Sequence, residues 1–290
     1  MTLWLERHVP KLVLAPSFAA ILLFVYGFIA WTGWISLTKS RLMPKYDIEG
    51  VQQYTRLFAA PRWDVAMNNL YIFGALFIVI AMVLGLGLAI LLDQKIRAEG
   101  VLRTIYLYPM ALSMIVTGTA WKWILNPGLG LEKVVQGWGF ENFKFDWLVN
   151  TDYAIYTIVI AAVWQSSGFV MALFLAGLRS VDTEIIKAAQ VDGIPTHRIY
   201  TAIIIPSMAP IFLSAFIVLS HLAIKSFDLV IAMTNGGPGY ATDLPATYMY
   251  AMAFSRGDLG QAASSAMIMM LVVFTIVVPY LYSELRTRND

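Results

Sequence analysis

The sequence predicts an all-α membrane protein of six transmembrane helices, and three observations carry that prediction. Mean hydropathy is +0.69, with 59% hydrophobic and 13% charged residues, far from the balance of a soluble domain. Charge-free intervals recur along the chain, each able to hold the ~20 apolar residues that cross about 30 Å of hydrocarbon as a helix. These intervals lack the period-two alternation that membrane β-strands require.

The interval between Lys11 and Lys39 places a first span at about 12–37. It is too long for a cleavable signal peptide and reads as a retained anchor. Trp31 and Trp34 near its outer end fit an interfacial belt. Asp64 to Asp93 gives a second span at about 66–92, where Gly85 and Gly87 suit close helix contact or bending. Arg103 to Lys122 gives a third at about 104–126, with Trp121 and Trp123 as belt residues and Lys122 snorkelling outward. A fourth lies at about 154–178, between Asp152 and Arg179. The fifth begins after Arg198 and, with the uncharged stretch beyond Asp228, reads as 204–233, followed by the turn NGGPG at 235–239. The sixth, at about 259–283, contains Met269 and Met270, which read as adaptable packing. Residues 1–290 thus form a single transmembrane domain.

An even number of spans puts both termini on one side. The terminal regions and the loops near 93–103 and 179–200 share that face and carry ten Lys or Arg, against eight on the longer opposite loops near 38–65, 127–153 and 234–260. The positive-inside rule places the denser face, with both termini, in the cytoplasm. Apolar spans make membrane lipid a partner. A net charge of +2 gives no reason to expect nucleic acid.

The polar segment at about 182–200 stands out between two apolar spans. Asp182 is placed as a helix N-cap, and Glu184 falls in the first turn, where a negative charge suits the helix dipole. Ala188 and Ala189 let another surface approach the backbone. Gly193, after Asp192, supplies a left-handed C-cap, and Pro195 stops the helix. A second helical run leads through Pro206 into the next span. The expected product is a short helix-turn-helix projecting from the membrane.

No GxxxxGK[ST] motif occurs, so the chain lacks the usual phosphate cradle. Transport by such a chain needs an ion gradient or a partner ATPase, and the projecting segment favours the partner. A scaffold without flux is the third class. Ion-coupled carriers call for acidic residues at mid-span, and none lies there. The chain has no cysteine, and its three histidines do not resemble a metal cluster.

Two polar groups inside the spans are candidates for a pathway. His221, Lys225 and Asp228 at i, i+4, i+7 would share one face of a continuous fifth helix. They would line a polar path, or Lys225 and Asp228 would form a structural pair. Trp164, Gln165, Ser166 and Ser167, read as early in the fourth span, offer an aromatic platform with amide and hydroxyl partners suited to a sugar. The alternative is helix packing around small residues.

The run KAAQVDG (187–193), followed after nine residues by Ile203, Ile205 and Pro206, resembles the EAA–G–I-LP signature of bacterial ABC importer permeases. FDLVIAMTNGGPGYATDLPATYMYAMAF (227–254) is similar to the pattern of carbohydrate-importer permeases. RTIYLYPMALSMIVTGTAWKWILNPG (103–128) and HLAIKSFDLV (221–230) look like permeases for glucose and mannose uptake. The resemblance implies a type I importer permease in the bacterial inner membrane. Its coupling helix would dock in an ATPase cleft through Glu184, Lys187, Ala188, Ala189, Asp192, Gly193 and Pro206, with Lys187 where the signature has Glu. Implied partners are a homologous second permease, an ATPase dimer, a periplasmic sugar-binding protein and a sugar, with disaccharides, other carbohydrates or polyols as alternative cargoes. ATP and magnesium would bind the ATPase, leaving this chain without cofactor, metal or catalytic residue. Trp164 aligns with the W of the family's W…G segment in this helix, and Gln165 and Phe169 follow it.

Overall fold

A computed structural model describes residues 2–94 and 96–287, with side chains at 11, 13–94 and 96–282. The described residues are predominantly helical, with the longest connection at 36–51. Apart from one isolated bridge between Thr38 and Ile48, they contain no β-pairing. Among the described residues, four helical stretches are long and apolar enough to cross a membrane: Val13–Ile35, Pro61–Asp93, Ala154–Ser180 and Leu259–Tyr282. Two further crossings arise only if bent pairs count as single spans. These are Glu99–Ala111 with Met114–Ile124, bent by 100°, and Thr196–Ser207 with Ala209–Ile224, bent by 66°.

The chain divides into two compact units. One combines the residues up to Trp63 with Tyr248–Leu271. Here the loop after the first span is tied by an ion pair from Lys39 Nζ to Glu49 Oε1 at 3.0 Å and by Gln53 Nε2, which donates to Thr38 O at 3.0 Å. Trp63 packs edge-on against Tyr248 with centroids 5.2 Å apart. Large apolar side chains of Val13–Ile35, including Phe18, Leu23 and Phe28, are exposed, as expected of a surface met by lipid or protein.

The second unit spans Asp64–Thr247 and continues from Val272. Ala154–Ser180 is its central helix, burying Ile158, Val170, Met171, Phe174 and Leu175. Phe174 meets Phe212 with ring centroids 4.5 Å apart. Gly85 allows the second helix to approach this one, since a Cβ there would lie 2.6 Å from Val170 Cγ1. Among the described residues nothing lies within 4 Å of a Cβ at Gly87, so of the two glycines read as allowing contact or bending, Gly85 makes the contact.

Two span assignments need correction. The third span, expected as one helix over 104–126, breaks at Leu112 and Ser113, whose backbones are extended. Ser113 Oγ then caps the second half by accepting from Val116 N at 3.3 Å. The fifth, expected to run to 233, ends at Ile224, and a separate short helix covers Asp228–Met233. That short helix nests on Met114–Ile124 because Gly118 presents no side chain to Leu229 O and Ala232.

After the short helix, Asn235, Gly236 and Gly239 all have positive φ, consistent with the expected rigid turn. Thr234 Oγ1 and Thr242 Oγ1 lie 2.6 Å apart, and Asn69 Nδ2 donates to Asp243 O at 3.0 Å. One buried amide from the second helix thereby clips the loop.

Candidate functional site: the 182–200 segment and the polar residues of the spans

The projecting segment forms as its residues dictate. Asp182 Oδ1 accepts from Glu184 N at 2.8 Å and starts the helix Thr183–Val191. At its end Gly193 N donates to Gln190 O and Ile194 N to Ala189 O, with φ of +75° at Gly193. This bond pair closes the orphan carbonyls of a Schellman C-cap. Pro195 then caps the turn Thr196–Ile199. A π-turn, Tyr200–Ile204, leads to Pro206, which is exposed and lacks the N–H a regular helix would use.

The helix presents an exposed surface with apolar character. Ile185 is 51% and Val191 87% exposed, and Ala188 lies open beside them. Ala189 faces inward and is buried. Lys187 Nζ is 3.7 Å from Glu184 Oε1, so the lysine in the signature's glutamate position pairs within its own helix. Asp192 and Gly193 are exposed at the tip.

His221, Lys225 and Asp228 do not share a helical face. His221 sits in the last turn of Ala209–Ile224, Lys225 is that helix's C-cap, and Asp228 opens the next helix. A cation at a helix C-terminus and an anion at an N-terminus complement the helix dipoles, which explains charges in an otherwise apolar stretch. All three are exposed, and no Lys225–Asp228 ion pair occurs among the described residues.

The fourth-span cluster separates into two environments. Trp164 lies near the middle of Ala154–Ser180 rather than early in it, and it is 40% exposed. It meets Trp121 edge-on at 5.8 Å. Trp121 is thus half-buried against a neighbouring helix, a pairing that hydropathy could not reveal. Phe169 is half-buried. Gln165 and Ser166 are buried on the other face.

Gln165 Nε2 donates at 2.8 Å to Leu112 O, the carbonyl released by the break in the third span. One turn on, Gly168 sits where a Cβ would lie 1.8 Å from Tyr106 O, so the two backbones touch. Gln165 therefore serves helix packing through its amide nitrogen, while its Oε1 is buried without a hydrogen-bond partner.

This architecture is that of an ABC transporter chain. It superimposes on a chain of a bacterial ABC transporter involved in the import of the acidic polysaccharide alginate with a TM-score of 0.84, covering 99% of each chain at 19% identity. Residues 81–288 match the binding-protein-dependent transport system inner membrane component family, and the chain belongs to that family of ABC permeases. A probable ABC transporter permease of Pyrococcus horikoshii is 39% identical over 93% of this chain and 94% of that one. A xylose/arabinose import permease of Haloferax volcanii is 34% identical over 92% and 85%. A trehalose/maltose transport system permease of Thermococcus litoralis is 28% identical over 95% and 93%.

Proposed function

We propose that this permease is one half of the membrane pathway of an ATP-driven, binding-protein-dependent sugar importer. It pairs with a homologous second permease and takes work from a separate ATPase dimer that holds ATP and magnesium. Both termini and the 182–200 segment face the cytoplasm in this reading. The observation that carries it is the doubly capped, exposed and amphipathic helix Thr183–Val191, which shows Ile185, Ala188 and Val191 as apolar points to a partner's cleft. The xylose/arabinose and trehalose/maltose relatives support a sugar as cargo. Within that class, the runs 103–128 and 221–230 favour a glucose- or mannose-type monosaccharide.

Alternating access follows from this arrangement. Closure of the ATPase dimer displaces the coupling helix and opens the pathway outward, and hydrolysis resets it inward. The open side of the Trp164–Trp121 pair is an aromatic platform for the apolar face of a sugar ring.

Reconstitution in proteoliposomes tests the reading. Uptake of labelled sugar should require ATP, the ATPase, the second permease and a binding protein. Competition among glucose, mannose, xylose and disaccharides then ranks the cargo. Uptake by this chain alone on an ion gradient would reject the importer, and assembly without any flux would make it a scaffold.

A further inference from the structure

Both ends of the coupling segment are fastened to the same corner, the connection between the second helix and the helix that follows it. On the entry side Arg179 lies three residues before the Asp182 cap. Its Nη2 donates to Glu99 Oε1 at 2.7 Å, and its Nε lies 3.7 Å from Asp93 Oδ1. On the exit side Gln94 Nε2 donates to Tyr200 OH at 3.3 Å. Asp93 ends the helix Pro61–Asp93, Glu99 opens Glu99–Leu107, and Arg179 is in the last turn of Ala154–Ser180.

Helix dipoles favour Glu99 and Arg179 where they stand, whereas Asp93 places a negative charge against a negative helix end. Arg179 compensates that unfavourable placement. Its planar, multi-donor guanidinium can address two carboxylates at once, which a lysine ammonium does less rigidly. The partners are partly exposed, with side-chain exposures of 45% for Arg179 and 31% for each acid. Exposed pairs of this kind contribute little to global stability. What the cluster controls is position.

We propose that Arg179 is a positioning residue that holds the coupling segment in register with the 93–99 corner. Displacement of Thr183–Val191 is then passed to three helices together instead of being absorbed by flexing at Val181. The proposal rests on the importer reading for what displaces the segment, but the clasp itself can be tested without transport.

The absence of cysteine makes site-specific labelling direct. Spin labels at Val101→Cys and Val191→Cys, both exposed positions, report the distance from the corner helix to the coupling tip by electron–electron resonance. In the full chain in lipid nanodiscs, the parent should give a narrow distance distribution. Arg179→Ala should broaden it, as should the nearly isosteric Asp93→Asn with Glu99→Gln, while Arg179→Lys should fall between Arg179→Ala and the parent. A parental distribution in Arg179→Ala would overturn the proposal.

In the reconstituted importer, Arg179→Ala should keep its ATPase but lose about fivefold or more in sugar moved per ATP, the low end of coupling between sites. An unchanged ratio would also overturn it. Absence of ATP-driven uptake in the parent would count against the importer, and the label distances would still decide the clasp.

Discussion

Replacing Gly168 by alanine drives a methyl group into the backbone of the neighbouring helix. An ideal Cβ at this position lies 1.8 Å from Tyr106 O and 2.6 Å from Tyr106 C, whereas ordinary contact begins near 3.4 Å. The obstacle is backbone and cannot rotate away, so the two helices must part by about 1.6 Å, the difference between 3.4 and 1.8 Å. One turn earlier, the 2.8 Å bond from Gln165 to Leu112 O would stretch past hydrogen-bonding range. Overpacking costs about 1–3 kcal/mol, and stranding the half-buried Leu112 carbonyl adds up to about 1 kcal/mol. Together that is a large fraction of the 5–15 kcal/mol that ordinarily holds a domain folded.

The assay is thermal loss of the monodisperse peak in detergent, followed by tryptophan fluorescence on size-exclusion chromatography. Gly87→Ala is the control: nothing lies within 4 Å of its Cβ, and alanine gains about 0.5–1 kcal/mol in a helix interior. Gly168→Ala should melt well below the parent, and Gly87→Ala at or above it. Equal melting of the two variants, with Gly168→Ala assembling normally, would refute the reasoning.

Other outcomes follow from the same geometry. Gly193→Val forces a β-branched residue into φ +75° at a cost of about 1–3 kcal/mol. It should reduce ATPase co-purification or substrate-stimulated hydrolysis, and wild-type values for both would count against the docking role. Trp164→Ala removes the ring that meets Trp121, and sugar uptake by an assembled complex should lose apparent affinity; unchanged affinity and flux would sink the platform. Asp182→Ala removes the bond to Glu184 N and should weaken the helix Thr183–Val191 by about 0.5–2 kcal/mol. Faster amide exchange confined to the first turn after Asp182 is the measurement, and unchanged protection there would contradict the cap.

The 182–200 segment was legible because its instructions are local. A capping Asp, a left-handed Gly and a stopping Pro act on neighbouring backbone groups, and Asp182, Gly193 and Pro195 do so here. The helical membrane character was equally legible, since hydropathy sums over long windows. Direction within a window was not. The third interval is apolar on both sides of Leu112, so composition cannot register a 100° bend, although Pro109 was an available hint. Periodicity misled at His221, Lys225 and Asp228 because i, i+4, i+7 means one face only while the helix continues, and no Gly or Pro marks its end at Ile224. Gln165 read as a possible sugar ligand because its partner, Leu112 O, lies 53 residues away in the chain. The Arg179 clasp escaped for the same reason, its acids lying far back in sequence.

The bond from Gln165 to Leu112 O also restricts the kinematics of any transport cycle. Sliding Ala154–Ser180 along its own axis by a single residue is a step of about 1.5 Å. That step would uncap the broken helix and carry the bulk at positions flanking Gly168 onto the Tyr106 carbonyl. Rotation of the two elements as one body preserves both contacts. The seam therefore selects hinge motion over shear, and switching between inward and outward states must be accommodated at other boundaries.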